Sequence, residues 1–123
     1  MDASLVSKLL EKIKIKLYQI STNPYGTRVF QKMLEYITHD SELEIIKEYV
    51  TNNVFSLVKD TNGNHVIQKI LQIYPNEKNS FILKEIEENI VEISKLKQGS
   101  CIFQKVLEYS KAVDKVRQFS IKN

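Results

Sequence analysis

The sequence predicts an all-α fold, an α-solenoid of about three repeated units with part of a fourth. Three observations carry this. The chain has three glycines, Gly26, Gly63 and Gly99, spaced 37 and then 36 residues apart. The surrounding residues keep that period. Five residues after each glycine stand Gln31, Gln68 and Gln104, then Lys32, Lys69 and Lys105, and eight after stand Leu34, Leu71 and Leu107. Upstream, the same holds for Ile20, Leu57 and Ile93, for Leu17, Val54 and Ile90, for Ile13, Val50 and Ile86, and for Leu9, Ile46 and Ile82. These apolar positions recur at the helical interval of three or four, and no segment alternates for long with a strand's period of two. A helical unit of this length cannot bury its apolar face alone, and about three units are the minimum for a stable stack.

The units fall at about 3–38, 39–75 and 76–110, with 111–123 as a partial repeat, the whole chain 1–123 forming one domain. Each unit reads as two or three helices. In the second and third, SELEIIKEYVTNNVFSLV and NSFILKEIEENIVEIS supply a longer first helix with an irregular tail. A further helix follows, as in DTNGNHVIQKILQIY. Its start is marked by Asn23-Pro24 in the first unit and by Asp60 in the second, residues suited to an N-cap and a first helical turn. The third unit has no comparable cap at Leu96 or Lys97. Pro75-Asn76 closes the second unit, and His39, in THDS, falls in a loop between units. The final KAVDKVRQFSIKN reads as the start of a unit that does not reach its glycine, so the chain either ends abruptly or is a piece of something longer.

Composition narrows the class. Hydrophobic residues are 42% and charged residues 27%, ordinary for a globular domain, and no apolar run reaches membrane-spanning length. Lys8, Glu11, Lys12, Lys14 and Lys16 interrupt what would be the apolar centre of a signal peptide. The lone Cys101 cannot form an internal disulfide, which fits a reducing compartment, so a cytoplasmic location is expected. The net charge of +3 is compatible with a polyanionic partner without requiring one. His39 and His65 sit in different units, no His/Cys/Asp group has metal-ligand spacing, and all three glycines belong to the repeats rather than to a phosphate-binding loop. No enzyme, metal or cofactor is expected.

The repeated stretch does suggest a binding face. At about 100° per residue with Thr27 at zero, Gln31 falls near 40° and Arg28 near 100°, while Phe30, Met33, Leu34 and Ile37 lie at roughly 240–340°. Thr27, Arg28 and Gln31 are therefore expected on a face away from the core, with Asn64, His65 and Gln68 and then Ser100, Cys101 and Gln104 at the same positions of the next units. Short polar groups a turn apart suit the edge of a flat ligand, and the planar groups of Arg28 and His65 suit its face. One flat, hydrogen-bonding ligand per unit at regular spacing describes a single-stranded nucleic acid.

At these residues the chain resembles the Pumilio/FBF (PUF) family of RNA-binding proteins. YGTRVFQKMLE at Tyr25 to Glu35, NGNHVIQKILQ at Asn62 to Gln72 and QGSCIFQKVLE at Gln98 to Glu108 carry the likeness, which spans essentially the whole chain. The resemblance implies three helices per repeat, a crescent, and RNA bases read one per repeat on the inner surface. It implies that Thr27 and Gln31 meet one base with Arg28 stacking, that Asn64 and Gln68 meet the next with His65 stacking, and that Ser100 and Gln104 meet a third with Cys101 in the stacking slot. In the family Asn with Gln favours uracil and Cys or Ser with Gln favours adenine; Thr27 departs slightly from that pattern. With RNA running antiparallel to the chain, the expected sequence is 5′-A-U-A-3′. The resemblance further implies an mRNA 3′ untranslated region as partner, post-transcriptional repression as the outcome, and no membrane. Further repeats, self-association or repressor proteins are expected as additional partners, because three bases alone bind weakly. Two rivals stand beside this reading: a protein-binding scaffold of the HEAT or armadillo kind, and a relative that grips nucleic acid by its backbone without reading sequence.

Overall fold

The computed structural model describes residues 3–74 and 76–109. Pro75 and the partial unit at 111–123 therefore lie outside the described residues. Within them the chain is helices and turns with no strand. Three triplets of helices follow one another: α1 (Ala3–Ile13), α2 (Leu17–Thr22) and α3 (Gly26–Leu34); α4 (Asp40–Thr51), α5 (Val54–Lys59) and α6 (Gly63–Ile73); α7 (Ser80–Glu88), α8 (Ile90–Ser94) and α9 (Gly99–Tyr109). Short 3₁₀ turns at Lys14–Lys16 and Asn76–Asn79 join α1 to α2 and lead into α7.

What the sequence suggested as an irregular tail is a separate short helix in every unit. The break has a local cause. Asn53 and Asn89 occupy the same repeat position, and each turns its side-chain amide back onto a carbonyl of the preceding turn, Asn53 Nδ2 to Tyr49 O at 2.8 Å and Asn89 Nδ2 to Glu85 O at 2.8 Å. That gives a carbonyl in the last turn of the first helix a side-chain donor, the Glu85 carbonyl accepting from the Asn89 backbone amide as well. The Asn53 and Asn89 carbonyls then accept from Leu57 and Ile93, opening the second helix. The first unit has Lys16 at this position and uses the 3₁₀ turn instead.

The third helix of each unit crosses its second helix closely, and this is what the glycines serve. A Cβ on Gly26 would stand 2.6 Å from Ile20 O, one on Gly63 would stand 2.9 Å from Leu57 Cδ2, and one on Gly99 would run into the Ile93 carbonyl oxygen. Asn23 and Asp60 cap the third helices as expected: Asn23 Oδ1 accepts from the Tyr25 and Gly26 amides at 2.9 and 2.8 Å, and Asp60 Oδ1 from those of Asn62 and Gly63 at 2.8 and 2.7 Å. At α9 the Gly99 amide reaches the Leu96 carbonyl instead.

One hydrophobic core runs through all three triplets, from Leu10 and Leu17 through Phe30, Ile46, Leu57 and Ile67 to Ile93 and Ile102. The third helices α3, α6 and α9 lie side by side in a row, in the most extensive contact between successive units. Polar bonds stitch the same junctions. Asn62 Nδ2 donates to Thr22 O at 3.0 Å, and Gln98 Nε2, one repeat on, donates to Val58 O at 2.6 Å. Ser7 Oγ donates to Glu42 Oε2 at 2.6 Å and Tyr49 Oη to Ser21 Oγ at 3.2 Å.

Candidate nucleic-acid interface

The row of third helices carries the nine residues singled out in the sequence. Arg28, His65 and Cys101 are exposed, the first two with planar groups at successive steps of the row. Gln31 and Gln68 are half-buried. Thr27 and Asn64, expected on an open face, are instead 4% and 3% exposed. The next unit covers Thr27, whose Oγ1 donates to the Asn62 carbonyl at 3.1 Å, while Asn64 is held by carbonyls of its own unit. Ser100, with no described unit after it, is exposed. The helical-wheel estimate missed this because it treats one helix at a time.

Two of the three sites share one arrangement. Gln31 Nε2 donates to Thr27 Oγ1 at 3.1 Å, and Gln68 Nε2 donates to Asn64 Oδ1 at 2.8 Å, each across one helical turn. The residue one turn before the glutamine thus anchors its amide, leaving an acceptor oxygen and a second N–H to present outward. Asn64 is itself fixed, with Nδ2 donating to the Asp60 and Thr61 carbonyls at 2.8 and 3.0 Å. The third site differs. Gln104 is exposed and its Nε2 donates to Glu108 Oε1 at 2.8 Å rather than to Ser100.

The lysines that follow each glutamine are engaged. Lys32 and Lys69 both bind Glu35, at 3.3 and 2.6 Å, the second contact crossing between units. The Lys69 and Lys32 ammonium groups hold the Glu35 carboxyl below its ordinary value. Lys105 sits 5.4 Å from the centre of the Tyr109 ring. Arg28 remains an exposed cation on the row. Among the described residues no group of three or more His, Cys, Asp or Glu is placed to hold a metal ion, and no helix is long and apolar enough to cross a membrane.

Sequence reasoning missed the amides of Asn62 and Gln98, which sit one residue before the glycine and tie each unit to the one before. The signal was present, since both positions carry an amide where the first unit has Tyr25. It also missed Glu35, whose role appears only when two units are side by side.

Comparison with known proteins agrees with this architecture. The sequence model of the Pumilio-family RNA binding repeat matches residues 16–48, 53–87 and 89–117. The chain is 37% identical over 107 residues to suppressor protein MPT5 of Saccharomyces cerevisiae, covering 80% of this chain and 12% of that protein. It is 34% identical over 111 residues to pumilio homolog 11 of Arabidopsis thaliana, covering 85% and 20%. The structure superposes on the Puf4 RNA binding domain bound to the HO endonuclease RNA 3′ UTR recognition sequence with a TM-score of 0.86 and 33% identity, covering 90% of this chain and 34% of that one. The chain thus spans a fifth or less of these two curated relatives. With the repeat matched three times along a solenoid whose third helices stand in one row, the chain belongs to the Pumilio family of RNA-binding repeat proteins.

Proposed function

We propose that the chain binds single-stranded RNA along α3, α6 and α9, one base per unit, and contributes to post-transcriptional control of messages in the cytoplasm. In this reading Thr27 and Gln31 meet an adenine with Arg28 stacking on it. Asn64 and Gln68 meet a uracil with His65 stacking, and Ser100 and Gln104 meet an adenine beside Cys101, for a bound 5′-A-U-A-3′. The supporting observation is the matched presentation of Gln31 and Gln68, each anchored by the residue one turn before it on adjacent helices. An amide with one acceptor and one outward N–H complements the paired donor and acceptor on a base edge. The RNA bound to the superposed Puf4 domain supports the same ligand class.

Engagement of Lys32 and Lys69 by Glu35 favours base reading over a grip on the phosphates alone. The role is that of a binding module, not an enzyme. Fluorescence anisotropy with a short RNA containing AUA and another containing CCC tests it. The expected result is preference for AUA; equal binding to both, or none at any salt concentration, overturns it in favour of backbone binding or a protein scaffold respectively.

A further inference from the structure

Nine residues after the glycine the units differ in charge: the first carries Glu35, whereas the second carries Gln72. Both side chains are exposed. Glu35 stands one helical turn beyond Gln31 and joins lysines of two units, Lys32 at 3.3 Å and Lys69 at 2.6 Å. Ion pairs this open to solvent add little to folding, so their effect falls on whatever approaches the row. Lys32 stands one turn beyond Arg28, and Lys69 one turn beyond His65. The two lysines therefore flank the proposed stacking positions, beside which the backbone of a bound strand passes.

One carboxylate between them offsets one of the two positive charges and holds both ammonium groups. Lys69 and Lys32 in turn keep the Glu35 carboxyl below its ordinary value, so it stays ionised at neutral pH. At the α6–α9 junction Gln72 takes the position of Glu35 and Lys105 that of Lys69, so an uncharged amide replaces the carboxylate. There Lys105 lies 5.4 Å from the centre of the Tyr109 ring.

We propose that Glu35 is a specificity-determining residue: it withholds Lys32 and Lys69 from RNA phosphates, so that binding at the α3–α6 junction depends on the bases, a restraint that Gln72 does not impose at the α6–α9 junction. The proposal rests on the reading of this row as an RNA-binding face. A phosphate that approaches either lysine must displace the carboxylate from an existing ion pair and then lie beside its negative charge. A base at Gln31 or Gln68 faces no such competition. RNA without matching bases can slide until its phosphates meet released lysines, whereas a matched strand is held in register by its bases. Releasing the lysines therefore favours the wrong RNA more than the right one.

Glu35→Gln removes the charge and keeps an acceptor at an exposed position, and Gln72→Glu installs a charge at the second junction. Glu87→Gln, an equal change of net charge at an exposed position of α7, is the control. Each is titrated by fluorescence anisotropy with RNAs of equal length containing AUA or CCC over a salt series, and circular dichroism confirms the helices. Glu35→Gln is expected to tighten binding to the CCC RNA, to steepen its slope of log K against log salt by about 0.7–1.4, the value for one or two added phosphate contacts, and to narrow the AUA-to-CCC affinity ratio about twofold or more at low salt. Gln72→Glu is expected to move the slope and the ratio in the opposite directions, and Glu87→Gln to leave both near wild type. Heparin, a polyanion without bases, reads the charge alone: Glu35→Gln should elute at higher salt than wild type, and Gln72→Glu at lower. A wild type that binds both RNAs equally, or neither, overturns the RNA-binding reading and this proposal together. A wild type that prefers AUA, with Glu35→Gln leaving the ratio unchanged or matching Glu87→Gln, overturns the role of Glu35 alone.

Discussion

Thr27 and Asn64 anchor otherwise equivalent glutamines, so the chemical difference between them sets what each site presents. Thr27 offers a single hydroxyl, which donates to the Asn62 carbonyl while accepting from Gln31. Asn64 offers an amide held by two carbonyls. Asn64→Ser with Gln68→Glu replaces the amide pair by a hydroxyl and a carboxylate, an acceptor suited to the two N–H donors on a guanine edge. The expected outcome is a shift of the middle base preference from uracil to guanine, read by competition among RNAs that differ only at that base. An unchanged preference would show that these side chains do not read the base.

Glu42 makes a separate prediction. It is 1% exposed, yet accepts from Ser7 Oγ at 2.6 Å and from the His39 and Thr38 amides at 3.1 and 3.3 Å. Burial pushes its carboxyl up, but these bonds together outweigh burial and hold it below the ordinary glutamate value. The folded pKa is thus the lower one. Its contribution is complete above the unfolded value and is lost as pH falls through the folded one. Glu42→Ala should destabilise by about 1–3 kcal/mol, the cost of stranding buried donors. Compared with the wild type in denaturant titrations, the variant should lose less stability on acidification below the ordinary glutamate range.

Among the elements, the third helices depend on close approach and capping. Gly26→Ala and Gly99→Ala both force a methyl group onto a backbone oxygen, which cannot rotate away as a side chain can. Each should cost about 1–3 kcal/mol, as overpacking does, by thermal or chemical denaturation. A substitution within about half a kcal/mol of wild type, the range of an ordinary surface change, would show that the helices separate freely. Asp60→Ala removes the acceptor for the Asn62 and Gly63 amides and should cost about 0.5–2 kcal/mol. The positions of these helices and caps were readable because glycine, Asn and Asp act locally. The short α5 and α8 were not resolved from the helices before them, because the bends depend on side-chain amides that reach back four residues.

For the molecule as a whole, Arg28 and His65 are the two planar groups at the stacking position of the row, and stacking at about 1–3 kcal/mol per base would stand against an association cost of about 4–15 kcal/mol. An RNA of three bases should therefore bind with a Kd of about a tenth of a millimolar or weaker, measurable by anisotropy at high protein concentration. Few cations on the row are free, since Lys32 and Lys69 are paired with Glu35. With about two phosphates neutralised, log K against log salt should fall with a slope of about −1.4. A slope several times steeper, without base preference, would place the energy in the phosphates instead.

Periodicity alone determined the class of this protein. A recurring glycine, an apolar ladder at helical intervals and a recurring glutamine are local features, and stacked units leave little choice of topology. Contact between units decided the rest: the burial of Thr27, the amide ties from Asn62 and Gln98, and the sharing of Glu35 by two lysines. Residues about 36 positions apart meet in those contacts. Their geometry depends on how two helices lie against each other, which no single helix's pattern specifies.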